Sequence, residues 1–147
     1  MKPFLDIEVP GTPRGQGSMR IVHGKALHAS HILEHRSFVA LAISEAWAYD
    51  PLDEPLDVAL KFTFIRPKNH FGTGRNADHL KPSAPEFMAV MPDGDKLTRL
   101  ALDACTMAGL WRDDCLVTRI RATKTWATHG TAPSTRIAIW PAGQGWE

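Results

Sequence analysis

The densest chemistry in this sequence is acidic: Pro92-Asp93-Gly94-Asp95-Lys96-Leu97, and further on Asp113-Asp114. Acids at a helix start cap free amides and meet the positive end of the helix dipole. Two of them spaced by one glycine exceed what a single cap needs. Gly94 removes a side chain, so a sharp turn is expected to let both carboxylates converge. The set is all oxygen, which suits a hard cation, magnesium or manganese. Such an ion keeps positions open for phosphate oxygens and water, lowers the pKa of that water and stabilises charge on phosphorus. Arg99 follows Asp95 by one helical turn, and Asp103 continues the same face. Arg99 is either half of an i, i+4 ion pair worth about 0.3–0.5 kcal/mol or a cation that stabilises charge in a transition state.

These residues need elements to position them. Leu97, Leu100, Ala101, Ala104 and Ala108 recur at i, i+3, i+4, i+7 and i+11, predicting a helix over Lys96–Ala108 that Gly109 ends. That helix is ~20 Å long. The strand after it is therefore expected to run back antiparallel, because a parallel crossover would leave Asp113 or Asp114 far from Asp93. Leu116, Ile120, Ala122 and Trp126 share one face of that strand, and Arg119 and Arg121 the other. Upstream, Leu5, Ile7 and Val9 alternate with Asp6 and Glu8 as a half-buried strand. Met19–His28 reads as a hairpin turning at His23-Gly24-Lys25. Ser30 caps a helix over about residues 31–48, with Ile32, Val39, Ile43 and Ala46 inward. Asp57–Arg66 is apolar on both faces and reads as a central strand, and Thr135–Trp140 as the last. The order predicts one α+β domain over residues 1–147, with a mixed, mostly antiparallel sheet and two main helices on one face.

Between the central strand and the second helix, about residues 66–92, lies a Pro- and Gly-rich basic loop without periodicity. Loops this long in compact domains are functional or disordered, and the basic content favours function. Arg66, Lys68, Arg75 and Lys81 face only Asp78 there, and Arg14, Arg20, Lys25 and Arg36 face only Glu34 between Pro10 and Ser44. Five acids without a base fill Glu45–Asp57. A net charge of +1 thus conceals segregated basic stretches, as on a face that binds a polyanion.

Composition excludes other classes. With 147 residues, 44% hydrophobic and 22% charged, the chain can bury a core and is not a disordered protein. Cys105 and Cys115 are too few for a disulfide scaffold or a four-cysteine zinc site and suit a reducing cytosol. No run of 18 apolar residues predicts a membrane span. Met1-Lys2-Pro3-Phe4 leads straight into a strand, so no cleaved leader is expected and a cytoplasmic location is. Gly72-x-Gly74 opens no helix, and no phosphate-loop motif occurs, so no nucleotide cofactor is expected. His28, His31 and His35 sit near helical spacing, but only Glu34 accompanies them, so they read as a polar helix face rather than a metal site.

Pro92–Thr125 resembles the RusA family of Holliday-junction resolvases. The resemblance rests on Asp93-Gly94-Asp95-Lys96-Leu97, Arg99, Asp103-Ala104, Ala108-Gly109-Leu110-Trp111, Asp113-Asp114 and Val117. The N-terminal Pro-Gly-x-Pro loop and the basic residues through Arg20 look like phage-type members, as does the long loop. The resemblance implies Asp93, Asp95 and Asp114 as catalytic magnesium ligands, with Asp113 as second choice for the last place and manganese as a substitute ion. It places the family's helix lysine on Arg99 and its asparagine on Lys96. Arginine cannot give up a proton, so Arg99 is expected to stabilise charge rather than act as a base. Arg14, Arg20, Arg66, Lys68, Arg75, Lys81 and Lys96 are expected along the phosphates of branched DNA. The implied enzyme is a homodimer that nicks two opposed strands of a four-way junction, in a bacterial cell or a phage-infected host, during recombination and repair. Three other readings stand beside it: a nuclease acting mainly on flaps or forks, a DNA-binding module without catalysis, and a structural protein whose acids only cap a helix.

Overall fold

Alternation along the strands decides how the protein is layered. In the computed structural model, which describes residues 2–17, 20–27 and 30–146, β1 (Leu5–Pro10), β4 (Leu56–Phe64), β5 (Val117–Trp126) and β6 (Ser134–Pro141) form one sheet in the order β1-β6-β4-β5. Leu56, Val58, Leu60, Phe62 and Phe64 of β4 all point to one face and are buried there. Register places Ile137 and Ile139 of β6, and Leu5, Ile7 and Val9 of β1, on that same face. Helices α1 (Ser30–Ala46) and α2 (Gly94–Met107) cover it. The expected α+β architecture is therefore present: a mixed sheet with two antiparallel pairs and one parallel pair, and β4 central as its two apolar faces required.

One expectation about direction is wrong. Strand β5 runs parallel to β4, with α2 in the crossover between them, not antiparallel. Nothing in the local periodicity of β5 fixes which neighbour it pairs with. β5 is one of the two edge strands of the sheet and is exposed along most of its length, Ile120 being 46% exposed.

The hairpin comprises β2 (Arg20–Val22) and β3 (Lys25–Leu27), a separate two-stranded sheet. Its two-residue turn, His23-Gly24, has positive φ at both positions (49° and 77°), the hairpin turn whose twist matches the strands. The hairpin ends expected at Met19 and His28 lie outside the described residues. In α1 the buried residues are Val39, Ala40 and Ile43; Ile32 is half-buried and Ala46 exposed, contrary to the predicted stripe. Phe38 and Leu41 point outward, 48% and 58% exposed.

The basic loop is built rather than featureless. It contains 3₁₀ turns at Lys68–His70 and Gly74–Asn76 and a bridge between Phe71 and Leu80. Gly72 N–H donates to His79 O and Lys81 N–H to His70 O. Met88 is buried in the main core and anchors the loop's far end.

Candidate active site

Helix α2 is set by its buried stripe, Leu97, Leu100, Ala101, Ala104 and Cys105. With those residues inward, Asp95, Thr98, Arg99, Leu102 and Asp103 emerge on the flank toward β5. Together with Asp114 they line a hollow of about 310 Å³. The segment before the helix is tethered from β5: Lys124 Nζ donates to Val90 O (2.7 Å) and Pro92 O (2.9 Å). Gly109, at φ 72°, ends the helix as predicted.

Asp114 reaches the hollow although β5 is parallel to β4. Leu52 N–H donates to Leu110 O, and Arg112 N–H to Leu52 O, both at 2.9 Å. Trp111 is buried between these tethers, and its indole N–H donates to Thr106 Oγ1. The chain then enters a 3₁₀ turn, Asp114–Leu116, which folds Asp114 back beside the middle of α2. The carboxylate it meets there is Asp103, close enough for its charge to act on Asp114. The expected partner at the helix start was Asp93. A crossover therefore suffices, because the acid meets the helix halfway along its length.

The structure divides the expected ligands. Asp95 and Asp114 line the hollow. Asp93, the N-cap of α2, makes no side-chain cap bond and pairs with Lys96 at 3.0 Å. Gly94 has no positive φ, and a Cβ there would meet open space, so the backbone at this position does not require glycine. Asp113 serves the turn: its carboxylate accepts from Cys115 N–H at 3.1 Å. Asp113 and Asp114 also interact. The hydrogen bond between them, with burial and the charges of Asp113 and Asp103, holds Asp114 above the ordinary carboxylate range. The Cys115 amide, with that same bond, holds Asp113 below it. Arg99 makes no hydrogen bond or ion pair among the described residues. The i, i+4 pair with Asp95 is therefore not formed, and the guanidinium stays available beside the carboxylates.

Sequence reasoning named Asp103 only as continuing a face and missed what holds it. Gln16, 2% exposed, donates from Nε2 to Asp103 Oδ2 and accepts from Arg36 Nη1 at 3.1 Å. Its backbone N–H donates to Lys96 O at 2.9 Å. The loop lies tightly on α2 here, since a Cβ on Gly15 would sit 3.0 Å from Lys96 Cβ. A glutamine in a Gly- and Pro-rich loop carries no periodic signal, so nothing in the sequence singles it out.

The expected DNA-contact residues are spread over several elements. Arg14 is exposed. Arg20 lies in β2, its side chain outside the described residues. Lys68, Arg75 and Lys81 are exposed on the basic loop. Arg66 instead braces the loop, since its Nη1 donates to Pro85 O at 2.7 Å and its guanidinium stacks 5.5 Å from the Trp126 ring centroid. Of the helix histidines, His28 lies outside the described residues, and burial, with the charge of Arg14, lowers the His35 pKa.

The donor chemistry fits a hard cation, because every acid in the hollow is a carboxylate and their charges repel. Among the described residues no three acidic, histidine or cysteine groups close into a cage. Magnesium is typically held in this way, by one or two carboxylates, with substrate phosphate and water completing the sphere. The hollow thus brings carboxylates that can hold a divalent cation beside an arginine that has no partner among the described residues and can bind an anion. The family model for endodeoxyribonuclease RusA matches residues 10–139, and the chain belongs to that family of nucleases. Among curated proteins no significant match is found. Among the described residues no helix is long and apolar enough to cross a membrane.

Proposed function

We propose that this protein is a divalent-metal-dependent endonuclease that resolves four-way DNA junctions by paired nicks in two opposed strands. The observation that carries the reading is the hollow that Asp95, Asp103 and Asp114 share with Arg99, which has no partner among the described residues. Family membership supports DNA as the substrate. Asp95 and Asp114 would hold the ion, with Asp93, two residues before Asp95, to join them. Bound magnesium, or manganese in its place, supplies an activated water and charge neutralisation at the scissile phosphate. Arg99 binds a non-bridging oxygen and stabilises the charge that develops there. It is always protonated, so it takes no proton from the nucleophile. Gln16 and Arg36 keep Asp103 from swinging toward Arg99, which leaves that cation to the phosphate.

Arg14, Arg20, Lys68, Arg75, Lys81 and Lys96 line the path of the DNA backbone. Two opposed strands call for two sites related by twofold symmetry, hence a homodimer. The outward Phe38 and Leu41 of α1 give a second subunit apolar surface to cover. The enzyme works in the cytoplasm, where its DNA lies, in recombination and repair. Incubation with synthetic four-way, flap and linear DNA, with and without magnesium, tests the proposal. Magnesium-dependent symmetric nicking of the four-way substrate alone is expected. Equal cutting of flaps would assign a looser nuclease, and binding without cutting an inactive module.

A further inference from the structure

A groove of about 1040 Å³, three times the volume of the aspartate hollow, lies between the basic loop and the turn joining β5 to β6. It opens at the end of the sheet where β4 and β5 finish, the end to which Lys124 tethers the start of α2. Its volume is at the top of the roughly 300–1,000 Å³ range of sites that enclose a whole small ligand. Its surface is chiefly apolar, with Ile65, Phe71 and Pro133 among its lining, and Phe71 packs edge-on to His129 at 5.4 Å. Lys68 and Lys81 are among its lining, and no acidic residue is among the described residues that line it. The Asn69 amide and the Thr131 hydroxyl also line it. The groove wall is preformed. Gly72 N–H and Lys81 N–H close the loop on itself, and a Cβ on Gly72 would stand 2.8 Å from Asn76 Cβ and O, so only glycine permits that closure.

An apolar, aromatic slot with amide and hydroxyl groups and only basic charged residues among its described lining matches one ligand chemistry: a flat heterocycle carrying a phosphate. We infer that this groove takes an unpaired nucleotide of the DNA substrate, its base against Phe71 and His129 and its phosphate between Lys68 and Lys81. A continuous duplex keeps its bases stacked and offers none. A branch point has bases that have lost a stacking neighbour and cost least to unstack. The groove thus reads the branch, whereas the aspartate hollow cuts the strand. The inference rests on the proposed DNA-junction activity.

The test compares binding of two four-way junctions, one fully paired and one with a single unpaired thymine at the crossover, in buffer without divalent metal. Base–aromatic stacking is sequence-tolerant and strong enough to give ~10-fold tighter binding of the second junction. Phe71→Ala should reduce that ratio toward one. Thr131→Trp, on the exposed turn, fills the groove without removing a wall residue and should do the same if Phe71→Ala fails to fold. Affinity for the fully paired junction should stay within about twofold in both variants. Equal affinities of the parent for the two junctions, or an unchanged ratio in Thr131→Trp, would overturn the inference and leave junction binding standing. A change of oligomeric state in Thr131→Trp with the ratio unchanged would assign the groove to a second copy of the chain. Binding to neither junction would overturn both readings.

Discussion

Asp57 is the second residue of the central strand β4, on the sheet face away from the helices, and is fully buried. Arg119 donates to both its oxygens, from Nε at 2.9 Å and from Nη2. Gly143 N–H (2.9 Å) and Gly145 N–H (3.1 Å) donate to Oδ2. A Cβ at Gly145 would come within 2.8 Å of Asp57 Cβ, so the C-terminal turn lies directly on the carboxylate. The Arg119 bonds, opposed by burial and aided by the two amides, lower the Asp57 pKa to about 2. The unfolded value is near 3.8, and one pKa unit is about 1.4 kcal/mol. The full shift would therefore represent about 2.5 kcal/mol. Arg119 is 43% exposed, so water screens part of the attraction, and about 1–2 kcal/mol is the share expected. A lowered folded pKa means that this stability is complete above about pH 5 and disappears as the pH falls through 4 toward 2. Asp57→Asn should lower the Tm by about 2–8 °C at pH 7. Thermal unfolding followed by circular dichroism between pH 7 and pH 2 should show the gap between parent and variant narrowing below pH 4. A gap that stays constant to pH 2 would refute the reasoning, because the carboxylate charge would then not be what holds β4, β5 and the C-terminal turn together.

Asp93→Asn, Asp95→Asn and Asp114→Asn should each abolish metal-dependent cleavage while junction binding, measured by gel shift, is kept or tightened, since less negative charge faces the phosphates. Asp113→Asn should keep activity, because that carboxylate caps the 3₁₀ turn. Arg99→Ala should lower the single-turnover rate by about 10²–10³ with little loss of affinity, and Arg99→Lys should restore much of it; an unchanged rate in Arg99→Ala removes the residue from the site. The slope of log affinity against log salt falls by about 0.9 per phosphate contact. Lys68→Ala with Arg75→Ala should flatten it by roughly 1.8, and an unaltered slope would mean that the loop faces away from DNA. Phe38→Glu with Leu41→Glu should convert a dimer to a monomer in sedimentation, and an unmoved dimer would place the interface elsewhere.

What could be read from the sequence was whatever a local period encodes. The stripe at Leu97, Leu100, Ala101 and Ala104 and the alternation in β1 and β4 are each fixed by the geometry of a single element, and the structure keeps them. Helix α1 is apolar on more than one side, so periodicity could not say which of Ile32, Phe38, Val39, Leu41 and Ile43 faces the core. Pairing direction is a long-range property, and for β5 it was misread. Asp57 was read as the first residue of the central strand and the last of five acids without a base, but its pairing was not legible, because Arg119 lies beyond an intervening helix and becomes its neighbour only through register. The aspartates of the site stood out by type and spacing, but their division did not. That Asp113 bonds to the turn and Asp114 enters the hollow depends on the tethers from Leu52 and on buried Trp111, and neither motif contains those residues.

The division follows from one helix serving two neighbours. Leu97, Leu100, Ala104 and Cys105 are almost wholly buried, so α2 cannot rotate without exposing the core. With that rotation fixed, positions 95, 99 and 103 must share the flank toward β5, one turn apart, because the helix repeats every 3.6 residues. The spacing between Asp95 and Asp103 is therefore set by the core. Asp114 is set independently, by a turn sewn to the segment before β4. Asp93 belongs to neither arrangement. It precedes the first turn, and an exposed Lys96 holds its carboxylate at the surface, where an ion pair contributes little. Of the three aspartates, Asp93 is thus the one whose position the fold holds least, whereas the positions of Asp95 and Asp114 are fixed by the folded protein.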